Sequence, residues 1–200
     1  MAILNYKGRF CMGQKEKIIF LDRDGVINKY PGDRLYVTSL RSFRFIKRSP
    51  EAIARLSKAG YKIFIISNQA GVGKGLYSHG TLDAMNKKII RKIETKHGVI
   101  NGVFYCTHQK EKKCACRKPK TGLLKLATKD LTVDKGNSYF IGDSLKDVET
   151  GKRFGVKTIL VFSGREKLKN VPQWDILPDF IASDLYSAAL NIVKHRYERA

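Results

Sequence analysis

Two carboxylates spaced i, i+2 stand at Asp22 and Asp24, directly after the apolar run Ile18–Leu21 and just ahead of Gly25. Four apolar residues in a row read as a buried strand, and the glycine frees the backbone to turn away. Residues i and i+2 of an extended chain point the same way, so both carboxylates can act on one substrate. A plain surface turn would also use Asp and Gly, but three further polar endings weigh against it. Ser67-Asn68 closes the apolar strand 62–68, Lys118 follows the strand 102–107, and Asp143 with Asp147 follows the strand 138–142. The carboxyl ends of parallel strands share one edge, where ligands bind in open α/β sheets. A hydroxyl, an ammonium and two pairs of acids gathered there are poorly explained by chance.

A second cluster follows the third of these strands. Cys106, His108, Cys114 and Cys116 form a Cys-x-His-x5-Cys-x-Cys pattern. Three thiolates and one imidazole make a closed tetrahedral set suited to structural zinc, with no ligand position left open for catalysis. Free buried cysteines are the weaker explanation for such crowding. Zinc there would pin the loop that delivers Arg117 and Lys118. Cys11, the fourth cysteine, reads as a bystander. The loop 69–77 carries Gly71, Gly73 and Gly75. It lacks both the GK[ST] ending and the GxGxxG pattern, so a nucleotide site is weakly supported.

The elements that position these groups alternate as strand and helix. Runs 18–22, 62–68, 102–107, 138–142 and 157–162 are apolar and strand-like, with a short Phe180-Ile181 near the end. Ser49-Pro50 starts a helix with Ser49 as its cap. Leu82, Met85, Ile89 and Ile93 repeat at helical spacing over 78–97, a core stripe. Helices also fit 122–131, 145–154 and 184–199. Strands interleaved with helices predict one parallel α/β sheet. Residues 25–49 are too short for a separate domain and read as a loop over the strand end. Residues 1–15 read as a flexible N-terminal extension, leaving 16–200 as a single domain.

The formal charge of +21 predicts attraction to polyanions. The basic residues are dispersed, which favours a generally basic surface over one nucleic-acid footprint. Neither a membrane-length apolar run nor a secretory h-region is present, so a cytoplasmic protein is expected, and clustered thiols there favour metal over disulfides.

The four endings, taken in order, resemble the phosphatases of the haloacid dehalogenase superfamily. Its motifs match DxDG at Asp22–Gly25, the strand-ending Ser67, Lys118, and GDxxxD at Gly142–Asp147, over about residues 18–165. The segments DRDGVIN (22–28), SNQAGVGKG (67–75) and CACRKP (114–119) resemble the branch that holds heptose-bisphosphate and histidinol phosphatases. The resemblance implies a Rossmann-like parallel sheet sandwiched by helices, a minimal cap and a structural zinc loop. By the same resemblance Asp22 is the nucleophile and Asp24 the general acid and base, while Ser67 and Lys118 bind the transferring phosphoryl group. Mg2+ would sit on the Asp22 carboxylate, the Asp24 backbone carbonyl and Asp143, with Asp147 supporting from behind. Asn68, Gln69, Ala70, Arg117 and Ser144 would face the substrate, with part of 30–33. A small phosphorylated substrate is implied, a sugar bisphosphate before histidinol phosphate, acted on by a monomer. Nucleic-acid binding, or a polynucleotide 3′-phosphatase, is the disfavoured alternative.

Overall fold

The computed structural model describes residues 3–5, 15–33 and 35–195. Seven strands form one sheet: β1 (Ile3–Asn5), β2 (Ile18–Leu21), β3 (Lys62–Asn68), β4 (Gly102–Cys106), β5 (Tyr139–Gly142), β6 (Lys157–Val161) and β7 (Phe180–Ala182). Their spatial order is β1-β4-β3-β2-β5-β6-β7. Strands β2 to β7 run parallel, as the alternating pattern predicts. The exception is β1, which pairs antiparallel with β4. These three residues pair with a sheet edge whose backbone groups would otherwise stay unpaired. Residues 1–2 and 6–14, including Cys11, lie outside the described residues.

Among the described residues five α-helices lie between strands, α1 (Ser49–Lys58), α2 (Ala70–Gly73), α3 (His79–Glu94), α4 (Gly122–Ala127) and α5 (Leu145–Phe154), and α6 (Leu185–Val193) follows β7. The pleat divides the core cleanly. Ile19, Leu21, Ile63, Ile65 and Ile141 point to one face and pack with the α3 stripe Leu82, Met85, Ile89 and Ile93. Ile18, Phe20, Phe64, Ile66 and Phe140 point to the other and meet Leu123 and Leu124 of α4. On that face the Phe20 ring stacks against Phe64 and Phe140, each at 6.2 Å. The core therefore fixes β2 at the middle of the sheet, with Leu21 level with Ile65 on one side and Ile141 on the other.

Two local readings change. Ser49 does not cap α1: Arg48 holds that place in the left-handed region. Ser49 is buried and its hydroxyl donates instead to the Ile27 carbonyl at 2.7 Å, tying the helix start to the loop over the site. The glycine-rich loop folds partly as α2. Residues 25–48 form no helix or strand, only isolated bridges, and add no large cap among the described residues. No helix among the described residues is long and apolar enough to cross a membrane.

Candidate active site

The register places Asp22, Ser67 and Asp143 at neighbouring strand ends. Lys118 enters from the loop after β4 and is 4% exposed. Its Nζ lies 3.0 Å from Asp22 Oδ1 and 2.5 Å from Asp147 Oδ1, and donates to the Ile66 carbonyl at 3.0 Å. Burial works against that ammonium, but Asp147 and Asp22 more than offset it and hold it charged. Asp147 is fixed from behind: its Oδ2 accepts from the Ser144 N–H at 3.2 Å and the Ser144 hydroxyl at 2.6 Å. Burial, opposed by Lys118 and reinforced by Asp147, pushes the Asp22 carboxyl up to about 6. The Ser67 hydroxyl bonds to Asp22 and opposes that rise.

Asp143 is almost enclosed. A Cβ on Gly25 or on Gly164 would fall 2.0 Å from its Oδ2, so both positions need glycine for the backbone to approach this closely. The Arg165 N–H donates to that oxygen at 2.8 Å. Burial and the charges of Asp22 and Asp147 push the Asp143 carboxyl well above the usual carboxylate range. Oxygens of Asp22, Asp143 and Asp147 lie within 4.8 Å of one another. Crowded acids of this kind are relieved by a hard cation with oxygen ligands; Asp22 and Asp143 are the two expected magnesium ligands in this set, while Asp147 has both oxygens held by Lys118 and Ser144.

Asp24 faces a different environment. Arg23 is fully buried, and its Nη2 reaches Asp24 Oδ1 and Oδ2 at 2.9 and 3.0 Å. Asn28 Nδ2 donates to Oδ1 at 2.7 Å and Gln69 Nε2 to Oδ2 at 2.9 Å. Sequence reasoning assigned no role to Arg23 or Asn28. The available signal was an arginine set between two acids, which reads from sequence as an exposed charge.

The residues expected to face substrate divide into two groups. Asn68 clamps the Lys118 backbone, accepting from its N–H at 3.1 Å and donating to its carbonyl at 3.2 Å. Gln69 is 2% exposed and commits its amide to Asp24, to Ser67 and to the Tyr77 hydroxyl. Ala70 is buried at the start of α2, and Ser144 is the N-cap of α5. Arg117 is partly exposed and donates to the His108 carbonyl at 3.2 Å. Near it lies the exposed Lys146, whose ammonium burial, Arg165, Arg117 and Lys110 all make easier to discharge. Cations therefore gather at the mouth of the site.

Cys106, His108, Cys114 and Cys116 converge as expected, with donor atoms within 4.8 Å. Sulfur–sulfur distances are 3.4–3.6 Å and His108 Nδ1 lies 3.2 Å from Cys116 Sγ. A tetrahedral ion with bonds of about 2.3 Å to sulfur needs edges of roughly 3.8 Å. The set fits such an ion with little movement.

Residues 115–188 match the HAD-hydrolase-like family. The chain is 35% identical over 170 residues to the D-glycero-beta-D-manno-heptose-1,7-bisphosphate 7-phosphatase of Pseudomonas putida, across 84% of this chain and 96% of that one. Identity is also 35% over 192 residues to the D-glycero-D-manno-heptose-1,7-bisphosphate 7-phosphatase of Chlorobaculum tepidum, across 90% and 96%. The solved D,D-heptose 1,7-bisphosphate phosphatase of B. bronchiseptica, complexed with magnesium and phosphate, superposes with a TM-score of 0.82 at 31% identity, covering 90% of this chain and 99% of that one.

Proposed function

The chain belongs to the HAD-like phosphatases, and we propose that within them it removes the 7-phosphate of a heptose 1,7-bisphosphate in the cytoplasm, as a monomer. The observation that carries the reading is the convergence of Asp22, Ser67, Lys118 and Asp143 at one sheet edge, in a chain that aligns with almost the whole of its heptose-phosphatase relatives.

Asp22 attacks phosphorus and forms an aspartyl-phosphate, while the P–O bond to the sugar breaks. Asp24 gives its proton to the departing alkoxide, then takes one from the water that cleaves the acyl-phosphate. Lys118 and Ser67 hold the phosphoryl oxygens, and the Lys118 charge offsets theirs as the transition state forms. Asp147 keeps Lys118 oriented. Mg2+ on Asp22, Asp143 and the Asp24 carbonyl would supply the positive charge that lets a carboxylate approach a phosphate. Zinc on the four-residue cluster would hold the loop carrying Arg117 and Lys118. Arg117, Lys146 and Arg165 form a rim suited to the second phosphate.

Phosphate release with Mg2+ on a panel tests this: heptose 1,7-bisphosphates of both anomers, histidinol phosphate and a 3′-phosphorylated oligonucleotide. A preference in kcat/KM of a hundredfold or more for a heptose substrate, about 2.7 kcal/mol of transition-state discrimination, is expected. Preference for either other substrate overturns the assignment.

A further inference from the structure

Arg23 is completely buried, yet it sits beside two acids at a site that water and substrate must reach. Stability alone is a poor reason for it, because a buried ion pair gains little over well-packed apolar groups. Its surroundings are specific. The fork meets both Asp24 oxygens through Nη2, and Nε adds a contact at 3.2 Å. Nη1 points to Met85 Sδ at 3.9 Å, and the guanidinium lies 5.9 Å from the Tyr105 ring centre. The Tyr105 hydroxyl is itself tied to Asn86 at 2.6 Å. These groups stand on α3 and β4, so the arginine is held by rigid elements. Gln69, the other donor to Oδ2, is oriented by the Tyr77 hydroxyl at 2.6 Å.

From this geometry we infer that Arg23 is a positioning residue for the proton transfer, with Gln69 as its assistant. The inference rests on the phosphatase reading but not on the identity of the sugar. As the P–O bond breaks, its electron pair goes to the leaving oxygen and the Asp24 proton moves there. In giving up that proton Asp24 takes on a negative charge. Arg23, Asn28 and Gln69 are already aimed at the oxygens where that charge appears. Donors preset to a charge formed in the transition state accelerate the step rather than merely tightening binding.

A leaving group that needs no proton separates this role from a structural one. The test compares Arg23→Met, Arg23→Lys and Gln69→Met with the wild type in kcat/KM, which reads only as far as leaving-group departure. An unactivated alkyl phosphate and p-nitrophenyl phosphate are the two probes. General acid catalysis is worth about 10²–10⁴-fold, so Arg23→Met is expected to lose about a hundredfold or more on the alkyl ester. Loss on the nitrophenyl ester, whose phenolate leaves unprotonated, should stay below about tenfold. Arg23→Lys should recover part of the alkyl activity. Gln69→Met keeps the ion pair and should show the same selectivity more weakly, so it decides the matter if Arg23→Met does not fold. Equal losses on both esters, or no loss, overturn the inference. A wild type that releases phosphate neither from these esters nor from any substrate of the panel above overturns it together with the phosphatase reading.

Discussion

At the scale of single residues, the site is a cluster of acids arranged around one lysine. Asp22→Asn removes the proposed nucleophile while keeping its shape. Turnover should fall by about 10³-fold or more, at least ~4 kcal/mol of transition-state stabilisation, with an unchanged circular dichroism spectrum. Measurable turnover near the wild-type rate would remove Asp22 from the nucleophile's role. The same variant carries a pH prediction. Burial, against the pull of Lys118, raises the Asp22 carboxyl from 3.8 to about 6 in the folded chain. The folded state therefore holds this proton more tightly than the unfolded state. The resulting stability is full below about pH 4 and is lost as pH rises through about 6, on the order of 2–3 kcal/mol. Asp143 shifts the same way, whereas Asp179 and Glu51 are lowered and act oppositely. The difference between wild type and Asp22→Asn isolates the Asp22 share. In chelator, urea melts should show the wild type losing ground to the variant between pH 4 and pH 7. Magnesium should restore the wild type at pH 7 and have little effect at pH 4. A gap independent of both pH and magnesium would contradict this account.

At the scale of elements, two short devices aim Lys118. One is the start of α5, where Ser144 holds Asp147 and Asp147 holds the ammonium. Ser144→Ala should cost about 1 kcal/mol of stability, as loss of an N-cap does, and leave KM within about twofold. A large rise in KM at unchanged stability would instead put Ser144 against the substrate. The other device is the loop closed by Cys106, His108, Cys114 and Cys116. Cys114→Ser should lose about one equivalent of zinc per chain by metal analysis and lower kcat/KM about tenfold or more, the range seen when groups that orient a site are removed. Full activity without zinc would separate the loop from catalysis. Much of this was legible in advance, because apolar runs of strand length ending in acids, Ser67 and Asp143 need only the parallel-sheet rule to bring them together. The convergence of the Cys/His cluster was legible from ligand type and spacing alone. Arg23 and Asn28 were not, nor were the contacts that Asn68 makes with the Lys118 backbone and Gln69 with Asp24 and Ser67. Their roles depend on which polar atom fills which buried vacancy, and periodicity carries no information about that. The antiparallel β1 was hidden for a related reason: strand pairing at a sheet edge is set by the partner's free backbone groups rather than by the short strand's own pattern.

At the scale of the whole molecule, the excess of positive charge has a local expression. Dispersed lysines raise the concentration of any anion near the surface, but within about 10 Å screening at 0.1 M salt leaves only nearby charges to discriminate. Burial, then Arg165, Arg117 and Lys110, all act against the charge on Lys146. Arg165 pairs with the exposed Asp33 at 3.2 Å. Lys146 has a nearby acid in Asp147, but Asp147 spends its two oxygens on Lys118 and Ser144. A substrate carrying a second phosphate would relieve this crowding, and a monophosphate would not. Lys146→Ala should therefore raise KM for a sugar bisphosphate about tenfold, roughly 1.4 kcal/mol, at unchanged kcat. Its effect on a monophosphate of the same sugar should be within about twofold. The salt dependence of kcat/KM should also be steeper for the bisphosphate in the wild type and should flatten in the variant, because one screened contact has been removed. Equal losses on the two substrates would mean that Lys146 contributes only to the general field, and would place the second phosphate elsewhere on the rim.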